Sequence, residues 1–159
     1  MSFTAQRVTR TRVIHLSAAP RQVFPLFEPV GEKAWAEGWE PTMLFPADGT
    51  AEPGAVFTAR HPEGESIWIM PLYDPASFHL AYFNVAHGSR VGNIEIQCRE
   101  APGGTTDASV SYTFTALNEP GNEFIANFTE THYEEMMAAW ERAINYYLAH
   151  GRALRHHQY

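Results

Sequence analysis

Three side chains have types and positions suited to proton transfer beside an apolar surface: His79, Tyr112 and His132. His132 lies one turn after Phe128 and one turn before Met136. These residues share a helical stripe with Ile125, Ala139, Ala143 and Tyr147. An imidazole on a buried stripe needs a hydrogen-bond partner, and near neutral pH it acts as an acid, a base or a ligand-orienting group. A satisfied core histidine fits the same spacing, and His79 carries the same pair of readings. Tyr112 would place a hydroxyl in an apolar wall, where it either orients a ligand's polar atom or simply packs.

Other chemistries find less support. The eight histidines include no HxH or HExxH spacing, and the single cysteine provides no paired ligand, so no metal site is expected. His156 and His157 stand in a polar tail, a poor place for a closed site. Cys98 reads as a small buried apolar residue rather than a nucleophile. The glutamates of the last helix (Glu130, Glu134, Glu135, Glu141) fall mainly on its solvent side, and the "PGG" at 102–104 is a hairpin turn rather than a phosphate loop. No cofactor is expected. A net charge of −7 with Lys33 as the lone lysine argues against nucleic acid. The arginines cluster near the two ends and read as solvated. One cysteine excludes an internal disulfide, and no window is apolar enough for membrane insertion, so a cytoplasmic setting is expected.

The elements that must position these residues follow from local pattern. Residues 7–16, "RVTRTRVIHL", alternate as a strand. "SAAPRQVFPLFE" reads as a short helix capped by Ser17, with Pro25 and Pro29 preventing a longer one. "GEKAWAEG" is a second short helix ending at Gly38. Turn signals about every ten residues then imply an antiparallel meander to about residue 117. A long helix closes the chain before Gly151, with "THYE" at 131–134 as a possible capping box. The 159 residues form one domain with a core at about 7–150 and a polar tail at 151–159. The class is α+β, a curved antiparallel sheet around a long C-terminal helix.

Hairpin register assigns faces. Two-residue loops at 75–76 and 88–89 place Trp68, Met70, His79, Phe83, Ile94, Ile96, Tyr112 and Phe114 on the inner face. Phe128, His132 and Met136 would face them from the helix. The outward residues would be Ile67, Ile69, Tyr73, Phe78, Leu80 and Tyr82, an apolar patch that predicts a homodimer. Such a sheet cannot touch the helix everywhere, which leaves room for an internal pocket.

Three segments carry a family likeness: "VIHLSAAPRQVFPLFE", "WAEGWEP" and "YEEMMAAWERAINYYL". In pattern and order the chain resembles the START/Bet v 1-like (SRPBCC) superfamily, including its uncharacterised bacterial members. The resemblance implies the helix-grip fold and a cavity for lipids, aromatics or polyketides, with Trp35 and Trp39 at its rim. It implies binding or transport of a small hydrophobic molecule. Two alternatives come with it: a polyketide cyclase/dehydratase using His132, His79 or Tyr112, and a co-chaperone-like interaction module using the outward patch.

Overall fold

The computed structural model describes residues 2–62 and 64–155. The expected histidine pair at 156–157 lies outside them. Strand β1 (Arg7–Leu16) is followed by a single helical turn, α1 (Pro20–Val23), and by 3-10 turns at Phe24–Phe27 and Gly31–Ala34. The strands β2 (Thr42–Phe45), β3 (Ala55–His61), β4 (Gly64–Asp74), β5 (His79–Ala86), β6 (Arg90–Ala101) and β7 (Thr105–Ala116) come next, then helices α2 (Glu119–Asn127) and α3 (Glu130–His150). All seven strands join one antiparallel sheet in the order β1-β7-β6-β5-β4-β3-β2. Only β1 is out of sequence order, pairing with β7. This is the α+β helix-grip arrangement expected from the order of elements.

The registers differ from the expected ones at three places. The β4–β5 loop has four residues, 75–78, rather than two, since Asp74 pairs with His79, and a shift of two leaves the faces unchanged. The other two differences offset each other. In β4, Ile69 pairs with Phe83 but Leu72 pairs with Ala81, so Met70 and Pro71 together oppose Tyr82. Proline has no N–H for the ladder and is tolerated within sheets mainly at such bulges. The extra residue turns Leu80 and Tyr82 inward, where both are buried, and turns Phe83 outward to 43% exposure. His79 goes outward with it, and its Nε2 lies 2.7 Å from Glu95 Oε1. The loop before β6 then has three residues rather than two, since Ala86 pairs with Arg90. That restores the expected inner faces: Ile94, Ile96 and Cys98 on β6, and Val110, Tyr112 and Phe114 on β7. The outward apolar patch therefore loses Leu80 and Tyr82. Tyr73 and Phe78 leave it as well, their rings packing on Phe24 at 5.8 and 5.9 Å. Ile67 and Ile69 remain exposed, joined by Phe83.

The terminal helix is interrupted where the sequence pattern reads continuously. α2 ends at Asn127, Phe128 leaves helical geometry, and Thr129 caps α3 by accepting the His132 N–H at 3.1 Å. The capping residue thus stands two positions before the expected Thr131. The break resets the helical phase. Tyr133, Met137 and Ile144 form the buried stripe, Met136 is half-buried, and His132 is exposed. Tyr133 anchors the helix, its hydroxyl donating to the Val110 carbonyl at 2.5 Å. Arg10 pairs with Glu130 at 3.1 Å and Arg12 pairs with Glu134, so these N-terminal arginines tie β1 to α3 rather than standing apart in solvent. Asn145 accepts the Ser17 N–H and donates to the His15 carbonyl further along the same seam. Ser17 is therefore not a helix cap; Ala19 precedes α1. Among the described residues no helix is long and apolar enough to cross a membrane.

Candidate functional site

The grip is incomplete near the middle of α3. A cavity of about 360 Å³ lies between Trp140 of α3, the segment from Glu32 to Trp39, and inner-face residues of β4 to β7. All four tryptophans of the chain, Trp35, Trp39, Trp68 and Trp140, line it, together with Tyr82, Ile94, Tyr112 and Phe114.

The indole-rich segment is held by its own hydrogen bonds. The Trp35 N–H donates to the Leu26 carbonyl at 2.7 Å, and the Trp39 N–H donates to the Pro29 carbonyl at 2.8 Å. These bonds fasten the hinge to the preceding turn, and Gly38 (φ +81°) reverses the backbone between the second 3-10 turn and β2. The Trp35 ring meets Trp140 at 5.3 Å, and Trp39 meets Trp68 at 5.4 Å, both edge to face. Trp68 donates in turn to Ser66 Oγ at 2.9 Å. On the sheet side Gly92 makes room: a Cβ there would lie 2.2 Å from Asn84 Oδ1.

Polar groups in this wall are few. Glu32 lies one turn before Trp35, and its carboxyl makes no hydrogen bond or ion pair among the described residues. Burial of the carboxyl raises its pKa well above the usual carboxylate range. The Tyr82 and Tyr112 hydroxyls are pushed up first by their own burial and second by the neighbouring Glu32 carboxyl when it is ionised. The Tyr82 hydroxyl donates to the Phe27 carbonyl at 2.6 Å. The Tyr112 hydroxyl and the Asn84 side-chain amide have no hydrogen-bond partner among the described residues, so both are available to a ligand. One helical turn before Glu32, Glu28 accepts from Tyr73 at 2.7 Å; burial raises this carboxyl, and Tyr73 is pushed up to about 12. Arg90 and Glu37 complete the polar lining.

Six of the residues expected to bind ligand line the cavity: Trp35, Trp39, Trp68, Ile94, Tyr112 and Phe114. Met70, Ile96 and Phe128 are buried in the packed core instead, and Met136 packs at its edge. His79, Phe83 and His132 lie away from the cavity, so the expected histidine–tyrosine trio does not converge. The wall is made of rings without methionine. Pattern reading overlooked Glu32, Tyr82, Asn84, Arg90 and Trp140. Burial pushes the Cys98 thiol up to about 12, consistent with an inert core residue. Among the described residues no cluster of three or more potential ligands could hold a metal ion.

A larger groove of about 630 Å³ lies outside the grip, between the β5–β6 turn and α2, and includes His61, His87, Glu65, Glu123 and Asn127. Arg90 lines both spaces, its guanidinium 3.5 Å over the centre of the Phe124 ring. The groove has a more mixed, polar lining, and none of the indoles reaches it.

No protein-family profile matches the chain, and no curated protein does. Solved structures match along nearly the whole length. Norcoclaurine synthase from Thalictrum flavum, a point mutant in complex with a transition-state analogue, superposes with a TM-score of 0.69 at 12% identity, covering 94% of this chain and 99% of that one. Ara h 8.0201 gives 0.60 at 14% identity over 87% and 98%. An uncharacterised protein from Rhizobium leguminosarum gives 0.59 at 15% identity over 87% and 97%. At these identities the likeness concerns architecture alone: the chain has the Bet v 1-like, helix-grip fold.

Proposed function

We propose that the chain binds or carries a small hydrophobic, ring-containing ligand in the cavity between sheet and α3. One observation carries this reading: every tryptophan in the sequence contributes to the wall of one hollow. A core built only for stability has no need to gather its largest side chains around unfilled space, because packed interiors leave few voids larger than a water molecule. Ligand sites are mostly apolar clefts of about 300–1,000 Å³ with a few placed polar groups. Here those groups are Glu32, Tyr112 and Asn84. Isothermal titration of the full chain with 2-naphthylmethanol tests the reading. One-to-one binding that is lost in Ala36→Trp, which crowds the cavity wall, supports it; no binding to the unaltered chain overturns it.

A proton-transfer enzyme is the second reading. Its acid–base pair would be Glu32 and Tyr112 rather than the histidines, since a carboxyl tuned upward by burial suits general acid–base work. The matching structures include a synthase, so this architecture accommodates an enzyme. A homodimer through Ile67, Ile69 and Phe83 belongs to the same proposal, as an assembly that leaves the cavity on the opposite face free.

A further inference from the structure

We infer that the cavity selects an organic cation: an amine with an apolar, ring-sized body whose ammonium group meets the Glu32 carboxylate. The inference rests on the binding function proposed above and names the ligand's chemical class.

Three features of the wall favour a positive charge. The first is the Glu32 carboxyl itself, placed among aromatic rings with neither hydrogen bond nor ion pair among the described residues. Leaving a carboxyl so placed costs free energy that a hydrogen-bonding cation in the hollow would recover. The second is the rings. Trp35, Trp39, Trp68 and Trp140 line the same space, and indole faces attract cations more strongly than other aromatic faces do. The third is the charge balance of the lining. Among the described residues Arg90 is the only lining group with a permanent positive charge, and its guanidinium sits over the Phe124 ring. An anionic ligand would face the Glu32 carboxyl and the ring faces. A neutral ligand would use Glu32 only as a hydrogen-bond partner.

The inference makes binding depend on pH in a definite direction. The ionisable groups around Glu32 are Glu28 (bonded to Tyr73), Glu37, Arg90 and the Tyr82 and Tyr112 phenols. Burial keeps both phenols protonated in the neutral range. In the empty cavity burial also favours the protonated Glu32 carboxyl. An ammonium favours the ionised form, so its arrival expels a proton wherever the empty site still holds one. Affinity for the amine therefore rises as pH increases from about 5 to 8, while affinity for a matched neutral ligand stays level.

The test compares 2-naphthylmethylamine, 2-naphthylmethanol and 2-naphthoate by isothermal titration on the full chain, at several pH values and in buffers of different ionisation enthalpy. The expected result is amine binding at least about tenfold tighter than alcohol at neutral pH, with naphthoate weakest and proton release only with the amine. In Glu32→Gln the amine preference should fall to within about twofold, while alcohol affinity holds. Glu37→Gln should retain most of the preference. If alcohol and amine bind the unaltered chain equally, or the preference survives in Glu32→Gln, the cation inference falls and the cavity reading stands. If none of the three compounds binds, both fall.

Discussion

The indole N–H of Trp35 donates to the backbone carbonyl of Leu26 at 2.7 Å, and this bond fixes one wall of the cavity. Both partners are buried, with Trp35 only 3% exposed. Trp35→Phe keeps a ring but leaves the Leu26 carbonyl without this donor. A buried carbonyl that loses its donor costs about 1–3 kcal/mol. Urea denaturation should show that loss, with a lowered midpoint and an unchanged slope. An unchanged midpoint would mean the hinge is not held by this bond.

Glu32 should make the empty protein less stable as pH rises. Its folded-state pKa lies above the ordinary 4.5. Below that value the carboxyl is protonated in both the folded and unfolded chain and contributes no pH dependence. Above it the unfolded chain ionises first, and the folded state is penalised increasingly until its own pKa is passed. Glu32→Gln should therefore match the unaltered protein at about pH 4 and exceed it in stability towards pH 7. The other titrating groups are common to both proteins, so the difference between their urea midpoints isolates Glu32. A constant difference across that range would contradict the burial of this group.

The Tyr133 hydroxyl ties α3 to the sheet through the Val110 carbonyl. Tyr133→Phe removes only that bond and should cost about 1–2 kcal/mol, read by denaturation. Tyr147→Phe, later on the same helix and with no hydroxyl partner among the described residues, should change stability by less than about 0.5 kcal/mol.

The outer sheet face leaves Ile67 at 50% and Ile69 at 40% exposure, with Phe83 directly opposite Ile69 on the neighbouring strand. Sedimentation at micromolar concentration should find a dimer for the unaltered chain and a monomer for Ile69→Lys. A monomeric unaltered chain would remove the dimer.

The architecture was legible because its signals are local. β1 occupies residues 7–16 as its alternation requires, and the clean alternation of β6 and β7 gives their faces correctly. The cavity wall was legible only in part, and two local irregularities account for the rest. The bulge at Met70–Pro71 exchanged Tyr82 for Phe83 and moved His79 to the outer face. Its signal was present, since a proline inside a central strand requires a break in the ladder. The helix break at Phe128 moved the inward stripe from His132 and Met136 to Tyr133, Met137 and Trp140. Counting the helical period from the Thr129 cap rather than from Phe128 would have found Trp140. Glu32 was hidden differently. A glutamate in a short polar turn reads as solvent-facing, and only the packing of distant strands around it reveals the hollow beside it.

The central claim is that the four tryptophans enclose a ligand site. A ¹⁵N–¹H correlation spectrum of the full chain resolves their indole N–H signals, and titration with 2-naphthylmethanol reads each wall separately. The account predicts saturable shifts in the Trp35, Trp39, Trp68 and Trp140 indole peaks at one common affinity, with backbone amides around the β5–β6 groove unmoved. Shifts confined to that groove, or indole peaks that stay in place at saturating ligand, would contradict it.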